Sequence, residues 1–278
     1  MNKSFIFFGT PYVARDTLAI LTERGYTPAL VVSSPDARRG RGMELSPSET
    51  SAYALEHGLP LLRPETLDDA ALAAIAAYGG EYAVVVAYGK IFPQSLIDSF
   101  PLGVLNIHYS LLPKYRGASP VEAALLAGDT ATGVTVQKMA KRLDAGDIIA
   151  QKEVAIGATE TTRELRPRLI EEGASLLADI LPDFEAGALE GTPQDEGAAT
   201  HAGKIAKEDG LLDLAGDPRE NWNKYRAYAE SPGTYFFIEK QNKKMRVKIK
   251  TAELRDGMFT PLRVVPEGKN ETDYASMS

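Results

Sequence analysis

Cysteine is absent from the chain. Without it there is no disulfide, no thiolate metal site and no cysteine nucleophile, which fits a reducing compartment and a cytoplasmic protein. Histidine is scarce. His57, His108 and His201 are the whole supply, so acid–base chemistry near neutral pH has few places to sit. No Gly-x-Gly-x-x-Gly follows the first apolar run, where positions 9 to 14 read Gly-Thr-Pro-Tyr-Val-Ala. A dinucleotide pyrophosphate needs backbone approach at several glycines, which argues against nicotinamide or flavin binding, and there is no Walker-type loop either. No apolar stretch approaches the length that spans a bilayer, and the run from Ser4 to Phe8 is too short for a signal peptide.

Net charge is −7, unevenly placed: residues 201–278 hold 14 Lys/Arg against 12 Asp/Glu, so the acidity lies in the first 200 residues. Overall acidity argues against a general nucleic-acid binder. Lys240, Lys243, Lys244, Arg246, Lys248 and Lys250 nevertheless form a local basic stripe. Such a stripe suits either one specific phosphate-bearing partner or a solvated edge strand guarded by lysines.

What is present is ordinary for a globular protein: 278 residues, 44% hydrophobic and 25% charged. Short β-rich runs at 4–8, 29–32, 82–87, 103–107 and 133–139 alternate with helical stretches. That alternation predicts an α/β domain with a mostly parallel sheet covered on both faces, over residues 1–187. Gly187, Gly191, Pro193 and Gly197 mark a linker at 188–203. A small β-rich domain is expected over 204–278, with strands at 234–238, 245–254 and 262–265 and an end from Lys269 that is frayed or loosely docked.

The chemistry concentrates in Asn106-Ile107-His108-Tyr109-Ser110-Leu111-Leu112-Pro113 and, 36 residues after the histidine, Leu143-Asp144-Ala145-Gly146-Asp147. Asn106 and His108 alternate by two, so an extended backbone turns both to one side. A neutral imidazole can take a proton from an attacking amine, and a carboxylate can fix its tautomer and hold its charged form. A carboxamide can donate to a developing oxyanion. A lone histidine is more often a hydrogen-bonded packing residue, but its neighbours favour chemistry here. One His and one Asp make a poor metal site, so no metal is expected.

Asn-x-His-x-Ser-Leu-Leu-Pro-x-Tyr-Arg-Gly-Ala-x-Pro at 106–120, Gly-Val-Thr at 133–135 and Leu-Asp-Ala-Gly-Asp at 143–147 resemble the 10-formyltetrahydrofolate-dependent formyltransferase superfamily. Phe-Phe-Gly-Thr-Pro at 7–11, the stretch from Ser34-Pro35-Asp36 to Ser46-Pro47, and Lys204 to Asp209 resemble its branch that acts on initiator methionyl-tRNA in translation initiation. The resemblance implies a Rossmann-like formyltransferase fold followed by an OB-like domain, here short enough to be truncated. It implies Asn106, His108 and Asp144 as the catalytic set. It implies that Ser110, Leu111, Leu112, Pro113, Tyr88 and Gly89 bind the folate, a formyl donor consumed as co-substrate. It further implies that Arg38, Arg39 and Arg41, with Lys243 and Lys244 of the basic stripe, contact the tRNA, and that the enzyme acts as a monomer without membrane association.

Two rivals keep the chemistry and change the acceptor. Lys141 to Gly146 and Ile148 to Gln151 also resemble sugar-nucleotide N-formyltransferases, and water in place of an amine would give a formyltetrahydrofolate hydrolase. A rival of another class is a noncatalytic RNA-binding protein on an inherited enzyme fold.

Overall fold

A computed structural model of the chain describes residues 3–39, 43–240 and 243–277. It divides into two compact units, the first built from residues 1–116, 133–154 and 167–201, the second from 117–132, 155–166 and 202–278. In chain order the strands of the first part are β1 (Phe5–Gly9), β2 (Leu30–Val32), β3 (Ala37–Arg39), β4 (Glu44–Ser46), β5 (Leu61–Leu62), β6 (Tyr82–Val86) and β7 (Gly103–His108). There follow β8 (Arg116–Gly117), β9 (Ala131–Lys138), β10 (Ile148–Ala155), β11 (His201–Ala202), β12 (Tyr235–Lys240), β13 (Lys243–Arg255), β14 (Met258–Pro266) and β15 (Thr272–Asp273).

Seven of these form one sheet in the order β10-β9-β7-β6-β1-β2-β5. β1 runs parallel to β2 and β6, β2 to β5 and β6 to β7, while β9 is antiparallel to β7. Every residue of Phe5–Gly9 and of Tyr82–Val86 is buried. Continuous apolar strands of this kind are stable only where both faces are covered, so these two take the centre. Phe8 lies edge-on to Phe92 with centroids 4.9 Å apart, within a cluster that includes Ile6, Leu30, Val32, Val85 and Leu96. Each such side chain contributes about 2 kcal/mol on burial. The helices α1 (Tyr12–Glu23), α2 (Glu49–Glu56), α3 (Asp69–Ala76) and α4 (Gln94–Asp98) follow β1, β4, β5 and β6. A Cβ at Gly9 would sit 2.4 Å from the Cβ of Ala14, so only glycine lets β1 run this closely into α1.

From β1 the chain moves outward through β2 to β5, then returns to β6 on the other side of β1. The strand order therefore reverses between β1 and β6, and open α/β sheets bind ligands at the carboxyl ends beside such a reversal. Thr10, just past β1, ties those ends together: its hydroxyl donates to the Tyr88 carbonyl (3.1 Å) and meets the Ser34 hydroxyl (3.0 Å). The stretch 34–47 contains an antiparallel hairpin, β3 with β4, rather than an irregular loop. Its root is closed by the buried Ser33 and Ser48 hydroxyls, 2.6 Å apart and 15 positions apart in sequence. Ser48 also caps α2, accepting from Ser51 N at 3.0 Å.

The second unit has α5 (Pro120–Ala127) and α7 (Pro218–Ala227), with the Asn223 carboxamide donating to the Leu126 carbonyl. Arg166, in the first turns of α6 (Thr162–Glu185), sits between Glu122 and Glu230; the Arg166 and Glu122 side chains are largely buried and that of Glu230 is partly exposed. Its sheet is antiparallel, ordered β12-β13-β14-β15, with Phe236, Val247, Ile249, Val264 and Leu212 beneath it. Among the described residues this is a four-stranded sheet with β12 and β15 at its edges, the reduced form expected of the short C-terminal part.

Two details depart from the sequence reading. Segments 117–132 and 155–166 belong to the same unit as the C-terminal residues, because helix α5 is laid on α7. The stretch 188–203 is not a bare linker: Thr192 exchanges two backbone hydrogen bonds of 2.8 Å with Ile148. Of the two states expected for the end of the chain the docked one holds, since β15 pairs with β14 and Arg263 grips Glu271 and Asp273. None of the described helices is long and apolar enough to cross a membrane.

Candidate functional site

Asn106 and His108 close β7, at the carboxyl edge of the sheet. β9 lies beside them with Gln137 opposite Asn106 and Thr135 opposite His108, so the same face carries two further polar side chains. His108 is 5% exposed, and burial pushes its pKa below the ordinary imidazole value; the Asp144 charge and a hydrogen bond to Tyr115 oppose the shift. Its Nδ1 lies 3.6 Å from Asp144 Oδ2, an ion-pair distance rather than a hydrogen bond.

The other ring nitrogen decides the tautomer. His108 Nε2 is 2.9 Å from the carbonyl oxygen of Tyr115. A carbonyl only accepts, so Nε2 carries the proton and the neutral ring keeps its lone pair on Nδ1. This corrects the expectation that the carboxylate fixes the tautomer: the backbone does so, and Asp144 faces the basic atom.

The Asp144 loop is held from two sides. Gln137 Nε2 donates to Asp144 Oδ1 (3.1 Å), and Gly146 N donates to Gln137 Oε1 (3.2 Å). Gln194 Nε2 donates to the carbonyls of Asp144 (2.9 Å) and Gly146 (2.7 Å). Asp144 sits at φ 49°, a left-handed conformation that non-glycine residues adopt only when surroundings impose it. A Cβ at Gly146 would lie 1.8 Å from the Lys138 carbonyl oxygen, so no larger residue fits beside β9.

The Ser110–Pro113 segment is braced internally. Ser110 Oγ donates to the Lys114 carbonyl at 2.6 Å, Thr135 Oγ1 donates to the Ser110 carbonyl, and Gln151 Nε2 donates to the Leu112 carbonyl. Ser110 and Leu112 are buried, leaving Leu111 and Pro113 as the partly exposed members. The Tyr88 ring is in the core against Phe8 and Phe92, and burial pushes its hydroxyl up to about 12. What this turn offers at the sheet edge is backbone: the Tyr88 carbonyl and Gly89, whose φ of 81° needs glycine and beside which a Cβ would meet nothing within 4 Å.

Of the expected tRNA contacts, Arg38 is exposed on the β3–β4 hairpin, its Nη1 donating to the Met43 carbonyl. Arg39 lies on β3, and Arg41 falls outside the described residues. Lys243 and Lys244 are exposed on β13 in the second unit, with Lys244 Nζ 4.3 Å from the Phe237 ring centroid. Arg246 lies over the Tyr235 ring at 3.8 Å. Sequence reading missed Tyr115, Gln137, Gln194 and Arg116. Period-2 pairing of β7 with β9 could have pointed to Gln137, whereas a backbone carbonyl and a glutamine 50 residues downstream of Asp144 leave no local signature. Among the described residues no group of three or more His, Asp or Glu side chains could hold a metal ion.

The buried imidazole and its facing carboxylate lie at the carboxyl edge of the sheet, and residues 1–181 match the family described as formyl transferase. A methionyl-tRNA formyltransferase of Geotalea daltonii is 39% identical over 271 residues, covering 97% of this chain and 86% of that protein. The chain belongs to the formyl transferase family and, at that identity and coverage, to its methionyl-tRNA formyltransferases. The fold is shared with a solved methionyl-tRNA formyltransferase from Clostridium thermocellum (TM-score 0.63, 14% identity, 96% of this chain and 99% of that one). It is shared equally with an N-formyltransferase from Helicobacter canadensis solved with folinic acid and dTDP-3-aminofucose (TM-score 0.63, 16% identity, 91% and 89%).

Proposed function

We propose that this enzyme transfers the formyl group of 10-formyltetrahydrofolate to the α-amine of methionine on initiator tRNA, in the cytoplasm. The observation that carries the reading is the His108–Asp144 pair, with an unprotonated Nδ1 turned to the carboxylate. As the amine attacks the formyl carbon, Nδ1 takes its proton, and Asp144 stabilises the imidazolium that forms. Asn106, on the same side of β7, donates to the formyl oxygen as negative charge develops there. The bond from the donor nitrogen to the formyl carbon then breaks, and that nitrogen recovers a proton from His108.

The folate would be held by the Ser110–Pro113 segment and the Tyr88–Gly89 turn. Gly89 faces open space, and a heterocycle can be met there by backbone donors and acceptors without a side chain intervening. For the tRNA, the hairpin bearing Arg38 and the basic side chains of the second unit are the candidate contacts. A cleft of about 350 Å³ in that unit is lined by four cationic side chains, Arg163, Arg246, Lys248 and Lys250, against two carboxylates, Glu164 and Glu230, an excess of positive charge that favours phosphate groups. The acceptor reading is supported by relatives of about 40% identity named for methionyl-tRNA, whereas the sugar N-formyltransferase shares only fold-level similarity.

The test supplies purified protein with 10-formyltetrahydrofolate and, in parallel, charged initiator tRNA or an amino-sugar nucleotide. Formylmethionyl-tRNA is the expected product. Turnover of the sugar nucleotide alone, or formate release without any acceptor, would overturn the reading.

A further inference from the structure

We propose that Gln194, gripped by the buried Arg116, is a positioning residue that sets the Asp144 loop against His108. The inference rests on the reading above, in which those two groups handle the proton.

The Arg116 side chain is only 1% exposed. Its Nε and Nη2 donate to Gln194 Oε1 at 3.0 and 2.8 Å, and its Nη1 and Nη2 reach the two oxygens of Glu196 at 3.2 and 3.0 Å. Two donors on Oε1 leave the Gln194 amide one orientation, with Nε2 turned to the Asp144 and Gly146 carbonyls. Those carbonyls bracket Ala145, so one amide group clamps both sides of the turn that holds Asp144 at φ 49°. Glu196 is in turn held by Arg142 at 2.6 Å, and the two guanidiniums hold its carboxyl down at about 2.

The backbone around Arg116 borders the other half of the pair. Arg116 follows Tyr115, whose carbonyl holds His108 Nε2. Tyr115 N donates to Thr200 Oγ1 and Arg116 N to the Thr200 carbonyl, both at 2.8 Å, so this stretch is pinned beside the histidine. A buried guanidinium is a poor source of net stability, because desolvation cancels most of its pairing energy. Its fork instead fixes geometry: one arm anchors the loop of Asp144, while the residue before it, Tyr115, carries the acceptor that sets the tautomer of His108.

Gln194→Met removes the clamp without adding charge. With wild-type enzyme alongside, kcat for formyl transfer should fall about ten- to a hundredfold, as for an ångström-scale misplacement of a reacting group. KM for 10-formyltetrahydrofolate should stay within about twofold, because binding is not what the clamp supplies. The rising limb of the pH–rate profile should move to lower pH, since a displaced Asp144 no longer supports the imidazolium. Gln194→Glu keeps an acceptor for Arg116 but turns a carboxylate toward the two carbonyls, and it too should lose kcat. Wild-type kcat in Gln194→Met, or a fall in kcat that tracks melting temperature with the pH limb unmoved, would overturn the inference. So would full activity in Gln194→Glu. Absence of transfer by the wild-type enzyme would remove the functional reading itself, and this inference with it.

Discussion

His108 Nε2 donates to the carbonyl of Tyr115, a residue at φ 61° only seven positions along the chain. The local backbone thus loops back to hold the ring, and the basic nitrogen is left facing Asp144.

The pH–rate profile follows from that arrangement. Burial holds His108 below its ordinary value near 6.5, so the neutral base persists to lower pH than a free imidazole would allow. The rising limb of kcat/KM should have its midpoint below 6.5 in the wild type, and lower still in Asp144→Asn, which loses the charge that raises it. A limb that rises above 6.5, or one that Asp144→Asn moves upward, would contradict the assignment.

Stability carries the same signature. Below pH 6.5 the unfolded chain takes up a proton at His108 that the folded chain resists, so this group's contribution is lost as pH falls through the window between the two values. His108→Gln should flatten the slope of melting temperature against pH across that window. Thermal scans between pH 5 and 7 are the check, and parallel slopes for the two proteins would refute it.

Asn106→Ala should cost about 10²- to 10³-fold in kcat, the usual loss of one oxyanion donor, with an unchanged melting temperature. Rates within a few-fold of wild type would take Asn106 out of the chemistry.

Arg166→Met leaves Glu122, 8% exposed, buried without its cation. Unfolding free energy should fall by about 3 kcal/mol in chemical denaturation. The active-site residues lie in the other unit, so kcat of the protein that remains folded should be unaffected.

For the acceptor, Arg38→Ala and the double change of Lys243 and Lys244 to Ala should each raise KM for tRNA and leave KM for the folate unchanged. The slope of log affinity against log salt should shrink by about one per phosphate contact removed. An unchanged slope in both proteins would place the tRNA elsewhere.

The sheet was legible because its strands are extreme: Tyr82–Val86 is apolar at every position, and only a two-sided cover explains that. His108 and Asp144 could be singled out because histidine is scarce and their motifs are distinctively spaced, and the structure brings the two side chains together. Tyr88 misleads, since an aromatic beside a glycine turn reads as a pocket wall, yet its ring is spent on the core and its carbonyl accepts from Thr10. The Arg116–Gln194 clamp was invisible for a different reason. It joins residues 78 positions apart through side-chain amide and guanidinium groups that carry no periodicity.

The serine pair at the root of the β3–β4 hairpin has a further consequence. Chain leaves the sheet at Ser33 and enters α2 at Ser48, the two joined by a single hydrogen bond, so the arm's length is decoupled from the scaffold. Lineages could lengthen, recharge or delete it, and an engineer could exchange it for another recognition segment, while the strand and helix on either side keep their register.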